Sequence, residues 1–255
     1  MALRNRTVVM IHGAFCAGWA FDKFRQPFEA EGMRVIAPDL RHHDAPPRGD
    51  PPRALGATRL KDFTDDIVRL IEDEPEPPVL VGHSMGGLIA QIAATRTPVA
   101  ALVLLAPSAP WGVMPSSPHE IATATGLLFS GESWDRPVRP RYRLAAAHAL
   151  DRLPPGERSD TFSRFVHESG RATFEIWHWP WDLARGSDVR PARVNAPVLC
   201  LAGTHDQINP LGTVRRVARR YRGETQEFFR MSHWLLGEPG WENVADAALH
   251  FIAQT

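Results

Sequence analysis

Short apolar runs alternate along this chain with segments in which apolar residues recur at helical spacing. The apolar runs predict strands at residues 7–11, 33–37, 79–82, 99–105 and 198–202, and the strand–helix alternation that resumes near the end of the chain predicts a further strand at residues 225–229. The segments between them predict helices at residues 19–31, 60–71, 85–96, 210–221 and 241–252. Strands that alternate with helices predict a mostly parallel sheet covered on both faces, so the fold class is α/β.

The alternation stops between residues 107 and 193, where proline, tryptophan and arginine cluster and no clear buried strand stands out. Two helical patches are predicted there, at residues 142–150 and 159–168. We therefore predict a core formed by residues 1–106 and 194–255, with residues 107–193 as an insertion. Ligands of such sheets bind beyond the carboxyl ends of the strands, so the insertion is predicted to cover that edge as a lid.

The charge balance narrows the class of partner. The 29 Lys and Arg residues equal the 29 Asp and Glu residues, which leaves no basic field for nucleic acid or an anionic membrane. We expect a small-molecule substrate and a protein that is a monomer or a homodimer. The two cysteines, Cys16 and Cys200, make no disulfide framework and are expected to be reduced. No apolar run is long enough to cross a membrane, and the first apolar stretch is too short for a signal peptide and lacks a cleavage site. A soluble cytoplasmic protein is therefore expected.

The strongest chemical signal is a G-x-S-x-G motif at residues 82–86, with a predicted buried strand before it and a helix after it. Such a turn needs glycine two residues to either side of the serine, because side chains there would collide with neighbouring elements. It lifts the hydroxyl of Ser84 to the edge of the sheet. It also aims the N–H of Met85 and the positive end of the helix at the place where an oxyanion would form.

A second loop that belongs to the same predicted site follows the first strand, at His12-Gly13-Ala14-Phe15. In this architecture the loop supplies a second oxyanion donor. We assign that role to the backbone N–H of Ala14, with the N–H of Phe15 as the alternative. His12 ends a strand and is expected to pack or to form hydrogen bonds locally.

An acid and a base complete the pattern. Asp206 follows the strand at residues 198–202, where a carboxylate can accept the Nδ1 proton of a histidine and stabilise the imidazolium. An isolated aspartate at such a place is more often a helix cap. His233 follows the last strand, and the order Ser84, Asp206, His233 is the one that the α/β-hydrolase architecture uses.

With these four elements in order, the chain resembles the α/β-hydrolase superfamily over nearly its whole length. Residues 11–19 are similar to the opening loop of plant-type methylesterases and hydroxynitrile lyases and of their bacterial esterase relatives. Residues 41–44 depart from the glycine-bearing continuation of the family's next loop. The resemblance implies a two-step reaction without cofactor or metal, in which His233 activates Ser84 and then a water molecule.

Several alternatives remain beside this interpretation. Hydroxynitrile lyases of this fold carry a lysine just after the base, where this chain has Trp234, so that activity is disfavoured. Dehalogenases and epoxide hydrolases of the fold use an aspartate nucleophile, and Ser84 argues against both. Thioesterases, carbon–carbon bond hydrolases and cofactor-free perhydrolases share the same three residues. A receptor-like binding protein that keeps them is also open, since a fold alone does not fix function.

The predicted activity is hydrolysis of a small, mainly apolar carboxylic ester, with a methyl ester or a lactone as possible forms. The candidate pocket residues are Phe15, Trp111, Trp181 and Trp234, whose rings would form an apolar wall. For each tryptophan of the insertion, simple docking of the insertion onto the core is the competing role.

Overall fold

A parallel six-stranded sheet lies at the centre of the computed structural model, which describes residues 3–47, 49–118, 120–121 and 134–255. In chain order the strands are β1 (Thr7–Ile11), β2 (Arg34–Ile36), β3 (Val79–His83), β4 (Ala101–Leu105), β5 (Pro137–Val138), β6 (Glu168–Ser169), β7 (Val198–Gly203) and β8 (Glu224–Phe228). The sheet order is β2-β1-β3-β4-β7-β8, whereas β5 and β6 pair with each other in antiparallel fashion. The predicted fold class, α/β with a mostly parallel sheet, is confirmed.

Helices cover both faces of this sheet. Among the described residues, those of at least five residues are α1 (Gln26–Ala30), α2 (Arg53–Ala57), α3 (Leu60–Glu72), α4 (Met85–Ala93), α5 (Pro155–Ser163), α6 (Gly170–Trp177), α7 (Leu211–Arg220) and α8 (Trp241–Ala253). Shorter helical turns occur at Gly18–Phe21, Tyr142–Leu144, Trp179–Trp181 and Pro191–Arg193, and a π-helical turn at Ala145–Ala149. No helix within the described ranges is long and apolar enough to cross a membrane.

Alternate residues of the four inner strands, β1, β3, β4 and β7, belong to two separate hydrophobic cores. In β1, Val8 and Met10 join one cluster, whereas Val9 and Ile11 join the other. The first cluster is closed by α1 and α8, and the second by α3, α4 and α7. Burial on both faces explains why the strands appear in the sequence as continuous apolar runs.

Two predicted helices differ from the structure. The helix expected at residues 19–31 is divided into Gly18–Phe21 and α1, because Pro27 lies in the first turn of a new helix. The patch expected at residues 159–168 is α5, which starts earlier, at Pro155, and ends at Ser163. Glu168 instead belongs to β6, a buried strand too short to produce a period in the sequence.

The sheet order places the candidate loops together. Chain order reverses between β1 and β3, the topological switch at which ligands bind in open α/β sheets. β1 and β3 are direct neighbours, with Ile11 opposite Gly82, so the loops that follow them emerge side by side. The loops after β7 and β8 emerge at the same edge, because all six strands run parallel.

Candidate active site

Ser84 occupies the turn between β3 and α4 in a strained backbone conformation, with φ 51° and ψ −118°. Its N–H donates to the carbonyl of Leu105 at 3.0 Å, and its carbonyl accepts from the N–H of Ser108 at 2.9 Å. These bonds to the end of β4 hold the residue in a conformation that it would not adopt alone.

Glycine is required on both sides of this turn because other backbone segments lie against it. A Cβ atom on Gly86 would overlap the carbonyl oxygens of Ile11 and His12, and one on Gly82 would overlap the backbone of Gly86. The start of α4 is therefore pressed against the end of β1, which brings Ser84 close to the loop that β1 leads into.

Replacing Gly86 with alanine is expected to lower the free energy of unfolding by roughly 1–3 kcal/mol or more, because the new methyl group must displace backbone. Urea denaturation followed by circular dichroism measures this change. Gly156→Ala in α5 is the matched control, since nothing lies within 4 Å of its added Cβ. Equal stabilities of the two variants would contradict the close packing of α4 on β1.

Asp206 and His233 form a buried pair at the same edge of the sheet. His233 Nδ1 lies 2.9 Å from Asp206 Oδ2, and both side chains are almost fully buried. The other carboxylate oxygen of Asp206 accepts the backbone N–H groups of Ile208 and Asn209, at 2.8 and 3.0 Å. Since Oδ2 is an acceptor, Nδ1 carries the proton, which leaves Nε2 of His233 free to act as a base.

His83 connects His233 to the turn that carries Ser84. Its Nε2–H donates to the carbonyl of His233 at 2.9 Å, and the two imidazole rings lie 4.9 Å apart. Burial, above all, lowers the pKa of His83 to about 3, so its ring is neutral. His233 is thus held beside the residue that precedes Ser84. Within the described part of the chain, the Ser84 hydroxyl forms no hydrogen bond, so the Oγ–Nε2 contact of an acting pair is not made in this conformation.

Glu238, in the turn before α8, holds the loop of His233 from the other side. Its buried carboxylate accepts the N–H of Ser232 at 2.7 Å and that of Trp234 at 2.9 Å, one residue before and one after His233. Burial raises the pKa of Glu238 to about 7 against the opposing effect of these bonds. A charged residue two positions after the apolar run 234–236 was the available signal.

Replacing Glu238 with glutamine is expected to lower kcat roughly ten- to hundredfold. Glutamine has one acceptor oxygen for the two backbone N–H donors, so one donor loses its partner and the loop of His233 shifts. Initial rates of ester hydrolysis by the folded variant measure the effect. Glu242→Gln, on the exposed first turn of α8, is the control. Unchanged kcat in the Glu238 variant would show that the loop is held by other contacts.

The loop after β1 forms a tight turn beside Ser84. The N–H of Cys16 donates to the carbonyl of Gly13 at 3.4 Å, and Phe15 has a positive φ of 64°. His12 Nε2 accepts the N–H of Leu40 at 3.0 Å, so Nδ1 carries the proton and donates to the Gly13 carbonyl at 2.9 Å. Burial, above all, lowers the pKa of His12 to about 3. The local role predicted for this histidine is therefore observed.

The backbone donors near Ser84 are not equally available. Among the described residues, neither the N–H of Ala14 nor that of Met85 has a hydrogen-bond acceptor. The N–H of Phe15 donates to Oε2 of Glu168 at 3.1 Å. The N–H of Phe15, the alternative oxyanion donor expected from the sequence, is therefore already bound. The N–H of Ala14 is the donor that this loop leaves free.

The four candidate pocket residues occupy different environments. Trp234 is buried and packs edge-on against His83, at 5.7 Å between ring centroids, while Phe15 packs against the first core cluster. Trp111 contacts Trp179 and lies under the guanidinium of Arg185. Trp181 is 63% exposed. The structure thus brings Trp234 and Phe15 near the Ser84 turn, whereas Trp111 and Trp181 contact residues of the insertion.

A serine on a strand–turn–helix elbow, with a buried His–Asp pair at the same sheet edge, is the arrangement of α/β-fold hydrolases. The family model described as "Alpha/beta hydrolase family" matches residues 8–247, and the chain belongs to that family.

Named relatives fit the same class of enzyme. Methylesterase 3 of Arabidopsis thaliana is 32% identical over 119 residues, which are 46% of this chain and 43% of that protein. A pyrethroid hydrolase of Sphingobium wenxiniae is 28% identical over 150 residues, 58% of this chain and 46% of that protein. The matches therefore span less than half the length of these curated relatives. The predicted likeness to methylesterase-type α/β hydrolases is confirmed.

A solved structure extends the likeness of fold to nearly the whole chain. The crystal structure of a pyrethroid hydrolase from Sphingobium faniae superposes with a TM-score of 0.71 and covers 97% of both chains. At 21% sequence identity, this similarity shows the fold alone.

Proposed function

We propose that this protein is a serine hydrolase that cleaves a small, mainly apolar carboxylic ester through an acyl-enzyme on Ser84. The observation that carries the proposal is the buried His233–Asp206 pair, held next to the strained Ser84 turn by the His83 bond. Names of relatives, a methylesterase and a pyrethroid hydrolase, support the same class of reaction.

In the proposed reaction, Nε2 of His233 removes the proton of the Ser84 hydroxyl as Oγ attacks the carbonyl carbon. The N–H groups of Ala14 and Met85 stabilise the resulting oxyanion. His233 then gives the proton to the leaving alcohol, and the ester acyl group remains on Ser84. Water, activated by the same imidazole, releases the acid and restores the enzyme.

The proposed substrate carries no large charge of its own. The net formal charge of the chain is zero, and the ring of Trp234 provides an apolar wall next to His83. The relatives' names favour an ester over the other bonds that this set of residues can cleave, and a methyl ester is the first form to test. We further propose that residues 107–193 cover the site, with Trp111 and Trp181 as wall residues once substrate is bound.

A fluorophosphonate probe and a small substrate panel test the proposal. We expect stoichiometric labelling at Ser84, located by peptide mass spectrometry, and turnover of p-nitrophenyl acetate and of an aromatic methyl ester. A thioester, a cyanohydrin and a vinylogous diketone are assayed beside them. Preference for one of these three would replace the ester assignment, and ligand binding without labelling or turnover would indicate a receptor-like protein.

A further inference from the structure

A buried ion pair lies behind the loop that carries the proposed oxyanion donor. His43 Nδ1 is 3.1 Å from the carbonyl oxygen of Arg41, and Nε2 is 3.1 Å from Oε2 of Glu168. Both partner atoms are acceptors, so both ring nitrogens carry protons and His43 is an imidazolium. Burial acts to lower the pKa of His43, but the charge of Glu168, the hydrogen bond to it and the backbone bonds of the ring together hold that pKa above the ordinary value.

The unusual loop at residues 41–44 is what brings His43 to this place. The family's glycine is missing there, and His42 itself adopts a positive φ of 69°. The N–H of His43 donates to the carbonyl of Leu40 at 2.9 Å, which closes the turn and directs the ring inward. Both side chains of the His43–Glu168 pair are fully buried. A buried charge is retained only when it is paired in this way.

Glu168 also binds the oxyanion loop directly. Its Oε2 accepts the N–H of Phe15 at 3.1 Å, while Oε1 accepts the N–H of Ser169 at 2.6 Å. The carbonyl of Phe15 in turn accepts the N–H of Val166 at 2.9 Å. Both backbone polar groups of Phe15 are therefore bound by one three-residue stretch of the insertion.

The conformation of this loop explains why it needs such support. A four-residue turn with a positive φ only at its third residue is of type II, and that position favours glycine. Here Phe15 fills it, at an energetic cost that only surrounding contacts can offset. Rotating the Ala14–Phe15 peptide to the type I form would point the Ala14 carbonyl at the Glu168 carboxylate, and like charges would repel it.

We propose that Glu168 is a positioning residue for the oxyanion hole, because its carboxylate binds the Phe15 N–H and so holds the turn whose first peptide, Gly13–Ala14, carries the Ala14 N–H beside Ser84. The hole is then complete only while the insertion is docked on the core. This inference rests on the proposed hydrolase function, which it extends by coupling the insertion to transition-state stabilisation.

The test compares Glu168→Gln with Glu175→Gln. Glutamine keeps the shape of residue 168 but removes the charge and one acceptor. Glu175 is a matched control, since it is fully buried, lies in the insertion and also binds the core, through the N–H of Leu60 at 2.9 Å and the guanidinium of Arg59 at 2.7 Å. Its contacts are with the start of α3 and with Arg171 of its own helix, and none of them involves the oxyanion loop.

We expect Glu168→Gln to lower kcat about tenfold or more with little change in KM, short of the roughly hundredfold or greater loss caused by deleting a donor. Glu175→Gln should keep the kcat of the wild type. Hydrogen exchange of a peptide covering residues 12–18 should accelerate in the first variant and not in the second. Equal kcat values in the two variants would overturn the proposal.

A second variant covers the case in which Glu168→Gln fails to fold. His43→Gln keeps the Glu168 carboxylate but removes its cation, and should lower kcat and loosen the same peptide to a smaller extent. Hydrogen exchange does not depend on ester turnover, so it separates the two hypotheses. A wild-type protein without esterase activity would refute the proposed function, whereas unchanged exchange at residues 12–18 in both variants would refute the role of Glu168.

Discussion

Alanine at position 84 is expected to lower kcat by about a million-fold, the scale seen when the nucleophile of a serine hydrolase is removed. The structure gives the reason: the hydroxyl stands on the strained turn between β3 and α4, beside the loop that carries His233. Without Oγ no acyl-enzyme forms, and His233 has only water to activate. Substrate binding should persist, since the donors at Ala14 and Met85 remain.

The rate is measured with p-nitrophenyl acetate, and retained binding by calorimetry with the aromatic methyl ester. Ser163→Ala, on the exposed end of α5, is the control. Thermal unfolding of the Ser84 variant should match that of the wild type, because alanine meets the same backbone strain as serine. Full turnover by a folded Ser84→Ala protein would end the proposed mechanism.

Replacing Asp206 with asparagine is expected to lower kcat roughly ten-thousandfold, the loss that accompanies the wrong histidine tautomer. The surrounding bonds decide how the asparagine lies. Its single oxygen is taken by the N–H groups of Ile208 and Asn209, which Oδ1 accepts in the native protein. The amide NH2 then faces His233 Nδ1 and forces the ring proton onto Nε2, where the ring cannot accept a proton from Ser84.

The variant is assayed beside Asp246→Asn, a change on the exposed side of α8. Labelling of Ser84 by the fluorophosphonate should slow in parallel with kcat. The urea concentration at the midpoint of unfolding should stay close to that of the wild type. A labelling rate equal to that of the wild type would mean that another group orients the base.

The turn that carries Ser84 was predictable because its requirements are local. A buried strand, a serine with glycine at two residues to either side and a helix start follow one another within a few residues, and each acts through backbone geometry at its own position. The sheet followed for a similar reason, since runs buried on both faces are visible without knowledge of their neighbours. Strand order alone then brought the loops of Asp206 and His233 to one edge.

The supporting residues were not predictable, because they meet over long distances in the chain. Glu168 joins Phe15 across 153 positions and His43 across 125, and no period or motif marks such a meeting. The same holds for His83, whose partner is the carbonyl of residue 233. Local sequence therefore determined which groups carry out the proposed chemistry. Only tertiary packing decided which buried charges and N–H groups face one another, because that depends on how distant segments are brought together.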